Sequence, residues 1–307
     1  MKDLLTIFDL TKADLEALIK RALELKQAYK RGERYTPLSG KTLVLIFDKA
    51  STRTRVSFEA GMNQLGGASV FLSSADSQVG RGEPVKDTAR VISGYADGVV
   101  VRTFGHEIVE EFAKFSTIPT INGLTDEHHP CQILADVMTI VEKKGLQENF
   151  AGLGELKVSW IGDGNNMANS WIEASALCGF ELSIACPSGY CPDKGLVSFA
   201  KERGANLKIC VGVEEAAGNA DVLNTDVWAS MGQESEDAER RKDFEGFQIN
   251  KELLELAKPD AMVLHCLPAH RGEEITGDVI DGKNSAVWDQ AENRLHIQKA
   301  ILEKLLT

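Results

Sequence analysis

Short apolar runs bounded by turn residues alternate with longer amphipathic stretches along most of this chain. The runs are Thr42–Phe47, Ser69–Leu72, Gly98–Val101 and Ile118–Ile121, with helix-compatible stretches such as 55–65 and 84–95 between them. A second series follows: Lys157–Ile161, Leu182–Ala185, Leu207–Val211, Val222–Asn224, Ala261–His265 and Ala286–Trp288. Apolar strands separated by helices imply parallel sheets covered on both faces. The expected fold class is therefore α/β, with two doubly wound domains, each a mainly parallel sheet flanked by helices. An amphipathic helix is expected over 11–31, opened by a Thr11/Asp14 capping box. Others are expected over 131–144 and 290–306. The weakly periodic Gly145–Glu155 marks the junction. This predicts domains at 1–140 and 141–289, with the helix 290–307 packing back on the first.

A chain of 307 residues has room for two such domains of ~150 residues. Its net charge of -12 opposes non-specific contact with nucleic acid or anionic lipid, so an anionic ligand needs a local basic site. No run approaches the ~18 apolar residues of a membrane span. The N-terminal residues lack the pattern of a secretory signal. None of the 6 cysteines forms a CxxC pair. The expectations are a cytoplasmic protein with reduced thiols, no metal, no nucleic-acid partner and no membrane partner.

The strongest local signal is Ser51-Thr52-Arg53-Thr54-Arg55, which follows one strand and opens a helix. Ligands of open α/β sheets bind at the carboxyl ends of strands. A helix N-terminus there offers free N–H groups and a favourable dipole to an anion. The hydroxyls and two guanidiniums add donors suited to phosphate. A capped helix with solvated arginines would use the same residues. The P-loop pattern is absent. Gly162-Asp163-Gly164-Asn165-Asn166-Met167 follows a strand as a dinucleotide-binding turn would. However, Met167 replaces the third glycine, and Glu181 begins the next strand where an acidic residue should end it.

His129-Pro130-Cys131-Gln132 places His129 and Gln132 on one face of a starting helix. A donor and an amide at that spacing match a carbamoyl group, while a capping histidine is the alternative. Arg102 ends an apolar strand. His265-Cys266-Leu267-Pro268 ends another, where a cis Leu267-Pro268 bond would turn backbone carbonyls toward a ligand. The polar stretch 233–245 reads as a solvated face or a mobile lid.

Together STRTR, HPCQ, DVWASMG and HCLPAHRGEE, in this order and over almost the whole chain, resemble the aspartate/ornithine carbamoyltransferase family. The last two resemble its ornithine branch. The resemblance implies a homotrimer with sites shared between subunits, no cofactor, and the substrates carbamoyl phosphate and L-ornithine. It implies that Ser51, Thr52, Arg53 and Thr54 hold the phosphate. Arg102, His129 and Gln132 would meet the carbamoyl group. Gln78 would reach a neighbour's site, and Arg294 would add to the carbamoyl phosphate side. Asn166, Asp226, Ser230 and Met231 would hold ornithine. Cys266 and Leu267 would stand at the reacting centre, also against carbamoyl phosphate. Arg102, His129, Asp226 and Cys266 are the expected catalytic residues. The alternatives are a carbamoyltransferase for another amine or amino acid, and a non-catalytic binding protein on the same fold.

Overall fold

A computed structural model describes residues 1–73, 82–229 and 237–307. They divide into two units, Met1–Met138 with Asn293–Thr307, and Thr139–Glu292.

In the first unit, α1 (Lys12–Lys30) is capped by Thr11, whose side chain accepts from Asp14 N while Asp14 answers to the Thr11 backbone. Then come β1 (Thr42–Phe47), α2 (Thr52–Gln64), β2 (Ala68–Ser73), α3 (Val85–Ser93), β3 (Gly98–Arg102), α4 (His106–Phe115), β4 (Thr120–Leu124) and α5 (Pro130–Lys143). The four strands are parallel in the order β2-β1-β3-β4. Val44, Ile46, Val99 and Val101 pack on Ala89 and Ile92 of α3 and on Val109 and Phe112 of α4. The strand expected over 118–121 begins two residues later, at Thr120. Pro119 has no N–H to give a ladder, and only its carbonyl pairs, accepting from Val99 N at 3.0 Å.

In the second unit, β5 (Lys157–Ile161), α6 (Asn166–Cys178), β6 (Glu181–Ala185), α7 (Lys194–Glu202), β7 (Asn206–Ile209), α8 (Val213–Ala217) and β8 (Val222–Thr225) follow in turn. They lead to α9 (Asp237–Asp243), α10 (Lys251–Leu254), β9 (Met262–His265), α11 (Gly277–Ile280) and α12 (Val287–Leu306). This sheet is also parallel, in the order β7-β6-β5-β8-β9. Ile161, Leu223 and Val263 pack with Leu253, Val279 and Ile280. The run 286–288 is not a strand. Ser285, just before it, makes one bridge to Val263, and α12 then opens, with Val287 buried and Trp288 turned out to solvent. The stretch 206–211 pairs as a strand only to Ile209, and Val211 is 96% exposed.

The C-terminal part of α12 belongs to the first unit. Lys26 donates to Asn293 Oδ1 at 2.8 Å inside the core, and Arg21 grips Glu303 through Nε and Nη2 at 2.6 and 2.9 Å.

Both sheets reverse their winding once, between β1 and β3 in the first and between β5 and β8 in the second. The carboxyl ends of strands at such reversals form the ligand crevices of open α/β sheets. At the second reversal, Gly164 lies against another loop. A Cβ there would stand 2.4 Å from both the Tyr190 carbonyl oxygen and the Pro192 nitrogen. Gly164→Ala should therefore force backbone apart and lower stability by about 1–3 kcal/mol. Urea unfolding checks this, and an unchanged midpoint contradicts the close approach.

Candidate active site

The first unit gathers its polar side chains around the β1/β3 reversal. Ser51 caps α2, its hydroxyl accepting from Thr54 N at 3.3 Å. The first N–H groups of the helix thus face the loop without intrahelical acceptors, as helix geometry requires. Thr54 is buried, and its hydroxyl accepts from Arg294 Nη2 at 2.7 Å. The other arm of Arg294 donates to the carbonyl oxygen of Gln132, whose amide nitrogen donates to Asp136 at 2.7 Å. Arg102 is buried at the end of β3, and His129 is buried just before α5. The structure thus brings Thr54, Gln132 and Arg294 into one bonded set, with Arg102 and Arg294 both acting electrostatically on His129. Arg53 makes no ion pair with any described residue. Arg55, counted with it from the sequence as a donor, is used elsewhere. It bonds Glu59 at 3.0 Å and stacks on Phe71 at 3.6 Å.

The three loops of this site are tied to one another. Thr103 donates to Asp48 at 2.5 Å, Asp48 N to the Arg102 carbonyl at 2.8 Å, and Asp126 N to the Phe104 carbonyl at 2.9 Å. Lys49, buried over the Phe104 ring, closes the set with an ion pair to Asp126. Burial holds His129 well below the usual imidazole range, and the Arg294 and Arg102 guanidiniums push it further down. Neutral imidazole is therefore the form present at physiological pH. Burial lifts the adjacent Cys131 thiol to about 12, which leaves it un-ionised.

The second unit places Asn166, Asp226, Cys266 and Leu267 at the ends of its strands. Asn165 caps α6, its side chain accepting from Met167 N at 3.3 Å, which sets buried Asn166 at the first turn. Asp226 follows β8 and Cys266 follows β9. The ligating atoms of Asp226, His265 and Cys266 all lie within 4.8 Å of one another. Burial pushes Asp226 above the usual carboxylate range, while His265 and a hydrogen bond from the Cys266 thiol draw it back. Leu267 N donates to His265 Nδ1 at 2.9 Å, so that nitrogen is the acceptor and Nε2 carries the proton toward buried Glu274 Oε1, 2.9 Å away. Leu267-Pro268 is cis, the arrangement the sequence left open beside an ordinary strand end, with Leu267 at φ 61. The Asp226, His265 and Cys266 set could be weighed as a metal site, but both nitrogens of His265 are already taken.

Two family models divide the chain. The carbamoyl-P binding domain of aspartate/ornithine carbamoyltransferase matches residues 2–142, and the Asp/Orn binding domain matches 154–305. The chain belongs to the aspartate/ornithine carbamoyltransferase family. It is 56% identical over 307 residues to an ornithine carbamoyltransferase of Geobacter sulfurreducens, covering 100% of this chain and 99% of that one. The solved ornithine carbamoyltransferase from Pyrococcus furiosus superimposes with a TM-score of 0.92 at 49% identity, covering 99% and 97% of the two chains. The anabolic ornithine carbamoyltransferase from Campylobacter jejuni does so at 0.91 and 43%, covering 99% of each.

For this carbamoyltransferase chain, Gln78, Ser230 and Met231 lie outside the described residues, as do positions 233–236 of the polar stretch. Its positions 237–243 form α9. Sequence reasoning gave no role to Lys49, Asp126 or Glu274. His265 and Glu274 stand inside the HCLPAHRGEE run, nine residues apart. A carboxylate pair closing a histidine motif was the available signal. Nothing local marks Lys49 as the partner of Asp126.

His129 makes a pH prediction. The unfolded chain protonates this histidine near pH ~6.5, and the folded chain refuses the proton. Its stabilising contribution is present above that pH and is lost as the pH falls below it. Between pH 6.5 and 5, His129→Asn should flatten the dependence of unfolding free energy on pH by up to ~1.4 kcal/mol per unit. Urea titrations at several pH values check this, and parallel curves for parent and variant contradict it.

Proposed function

We propose that this chain transfers the carbamoyl group of carbamoyl phosphate to the δ-amine of L-ornithine, giving L-citrulline and phosphate. The observation that carries the reading is the chemistry at the two sheet reversals. One holds a capped helix N-terminus with Arg53, Thr54, Arg102, His129 and Arg294. The other holds Asp226 beside the Cys266 thiol, followed by the cis Leu267-Pro268 turn.

The roles follow from charge. A phosphate dianion suits the α2 N-terminus, where Ser51, Thr52 and Arg53 supply donors and the dipole is favourable. When the neutral δ-amine attacks the carbonyl carbon, charge develops on the carbonyl oxygen. Thr54, Arg102 and His129 are the donors for that oxygen, fixed before the reaction begins. Arg294 orders two of the groups, binding Thr54 and Gln132 at once. One lone pair of the Gln132 carbonyl accepts from Arg294, and the other is open to the carbamoyl N–H₂. As the C–N bond forms and the C–O bond to phosphate breaks, the proton shed by the amine leaves with phosphate as the hydrogen phosphate ion. No covalent enzyme intermediate is required, and alignment of the two substrates supplies much of the rate.

Ornithine's δ-amine resembles lysine, with a reference pKa near ~10.4, so few free molecules carry it neutral at pH 7. An ordinary carboxylate alone would favour the ammonium. Asp226, raised by burial, is a stronger base than an exposed aspartate, and the Cys266 thiol donates a hydrogen bond to it. Asn166 is assigned to the other end of the amino acid. Ser230, Met231 and Gln78 keep the substrate roles that the family resemblance implies.

We extend the reading to a cytoplasmic homotrimer acting in arginine metabolism, on the strength of the resemblance. Among the described residues no helix is long and apolar enough to cross a membrane.

A citrulline assay with carbamoyl phosphate and L-ornithine tests the activity, and absence of product overturns it. Arg53→Ala should weaken carbamoyl phosphate binding by at least ~2 kcal/mol, since a bidentate charge-assisted contact is lost. Calorimetry giving the parent affinity contradicts the phosphate assignment. Cys266→Ala should lower turnover at least tenfold, about 1.4 kcal/mol of barrier, with carbamoyl phosphate affinity little changed. Turnover of the parent should rise from neutral to alkaline pH as the bound amine loses its proton. A variant that keeps both the parent turnover and the parent profile removes Cys266 from amine activation.

A further inference from the structure

Arg240 is a cation buried in the second unit. It is 4% exposed. Its Nε donates to the Trp228 carbonyl at 2.6 Å, and its Nη2 pairs with buried Asp163. The plane of the guanidinium lies near two rings, 4.8 Å from the centre of Tyr190 and 5.2 Å from that of Phe244.

Each contact belongs to a different strand end. Asp163 is in the turn after β5, two residues before the Asn165 cap and three before Asn166. Tyr190 is in the loop after β6, and its carbonyl accepts from Gly164 N at 2.8 Å. Trp228 follows β8, two residues beyond Asp226. The strands β6, β5 and β8 are neighbours in the sheet. One side chain thus fastens three adjacent carboxyl ends, two of which carry the residues assigned to L-ornithine.

The surroundings brace the arginine. Tyr190 packs edge-on against Phe244 with ring centres 4.7 Å apart, and its hydroxyl donates to Asp243 Oδ2 at 2.8 Å. Asn165 Nδ2 reaches Asp163 Oδ2 at 3.4 Å, and Trp160 Nε1 donates to the Asp163 carbonyl at 2.9 Å. The charge of Arg240 is neutralised by Asp163, so this group has little attraction left for a substrate carboxylate. Arginine suits the task because its planar fork can bond a carbonyl and a carboxylate in fixed directions while stacking on rings.

We propose that Asp163, Tyr190 and Arg240 are a set of positioning residues for L-ornithine, holding Asn166 and Asp226 at their working separation without touching the substrate. This rests on the carbamoyl-transfer reading above. A strand end that drifts by about an ångström costs substrate alignment far more than it costs the fold.

The test is steady-state kinetics of citrulline formation, with L-ornithine and carbamoyl phosphate varied separately, on Asp163→Asn, Tyr190→Ala, Tyr190→Phe and Arg240→Lys. Circular dichroism melts confirm folding of each variant. The KM for L-ornithine should rise at least tenfold in Asp163→Asn and Arg240→Lys, and about fivefold in Tyr190→Ala. The KM for carbamoyl phosphate should stay within twofold. Tyr190→Phe keeps the ring under the guanidinium and should restore a KM within twofold of the parent. The partly exposed Tyr190 keeps the proposal falsifiable if a variant of the buried pair fails to fold. Folded variants with the parent's ornithine KM overturn the proposal, as does an equal rise in both KM values. A parent that makes no citrulline overturns the functional reading itself, and the positioning role with it.

Discussion

Within each sheet every strand runs parallel to its neighbours, and this single constraint decides where chemistry can occur. A parallel ladder delivers all its carboxyl ends to one edge, and the helices that return the chain cover the faces. Side chains on the strands are spent on packing, as the fully buried β3 shows. The residue that ends a strand and the few that follow are free to serve a ligand. Arg102, His129, Asp226 and Cys266 all stand in such places, as does the α2 cap. Where the winding reverses, neighbouring loops part to opposite faces, and the gap between them is the natural seat for a small molecule.

The electrostatics are built against the character of the whole chain. With a net charge of -12, the protein repels anions at a distance. The first unit overcomes this over short range by burying Arg102 and Arg294 near a neutral histidine and a helix N-terminus. Arg294 is held in place by its hydrogen bonds to Thr54 and Gln132, so it needs little rearrangement when charge appears on a ligand. Lys49 and Asp126 fix the loops in which the donors sit. The second unit solves the opposite problem. In the proposed reaction it would receive a cationic amino acid and leave one amine neutral, a task for which Asp226, raised by burial beside the Cys266 thiol, is the proposed means.

What the sequence made legible was whatever is encoded within a few residues. Apolar runs such as Thr42–Phe47 and Lys157–Ile161 appear as β1 and β5 with the same bounds, because a fully buried strand leaves an uninterrupted apolar signature. The Thr11/Asp14 box marked the start of α1 through spacing alone. Failures occurred where a local signal was ambiguous. Ile118–Ile121 was placed too early because hydrophobicity ignores the missing N–H of Pro119. Ala286–Trp288 looked like a strand because three apolar residues cannot distinguish a bridge from the first turn of a helix. Pairings between distant segments were not legible at all. Arg240 stands in a polar stretch that reads as solvated, and only the fold reveals Asp163 and two aromatic rings around it. Arg55 and Arg53 look alike in STRTR, yet Phe71 and Glu59 claim one of them.

The division of the first unit between the two ends of the chain bears on how the protein is made. Residues 1–138 leave the ribosome first, but the strand of contacts that completes their core, from Asn293 on Lys26 to Glu303 on Arg21, is translated only after all of 139–292. Arg294, which orders Thr54 and Gln132, arrives in the same closing stretch. During synthesis the intervening unit can finish folding while its elder neighbour still waits for its last helix. The bonded set of Thr54, Gln132 and Arg294 is therefore assembled only after 139–292 has been made, and a nascent chain stalled before that helix carries the loops without the arginine that sets them.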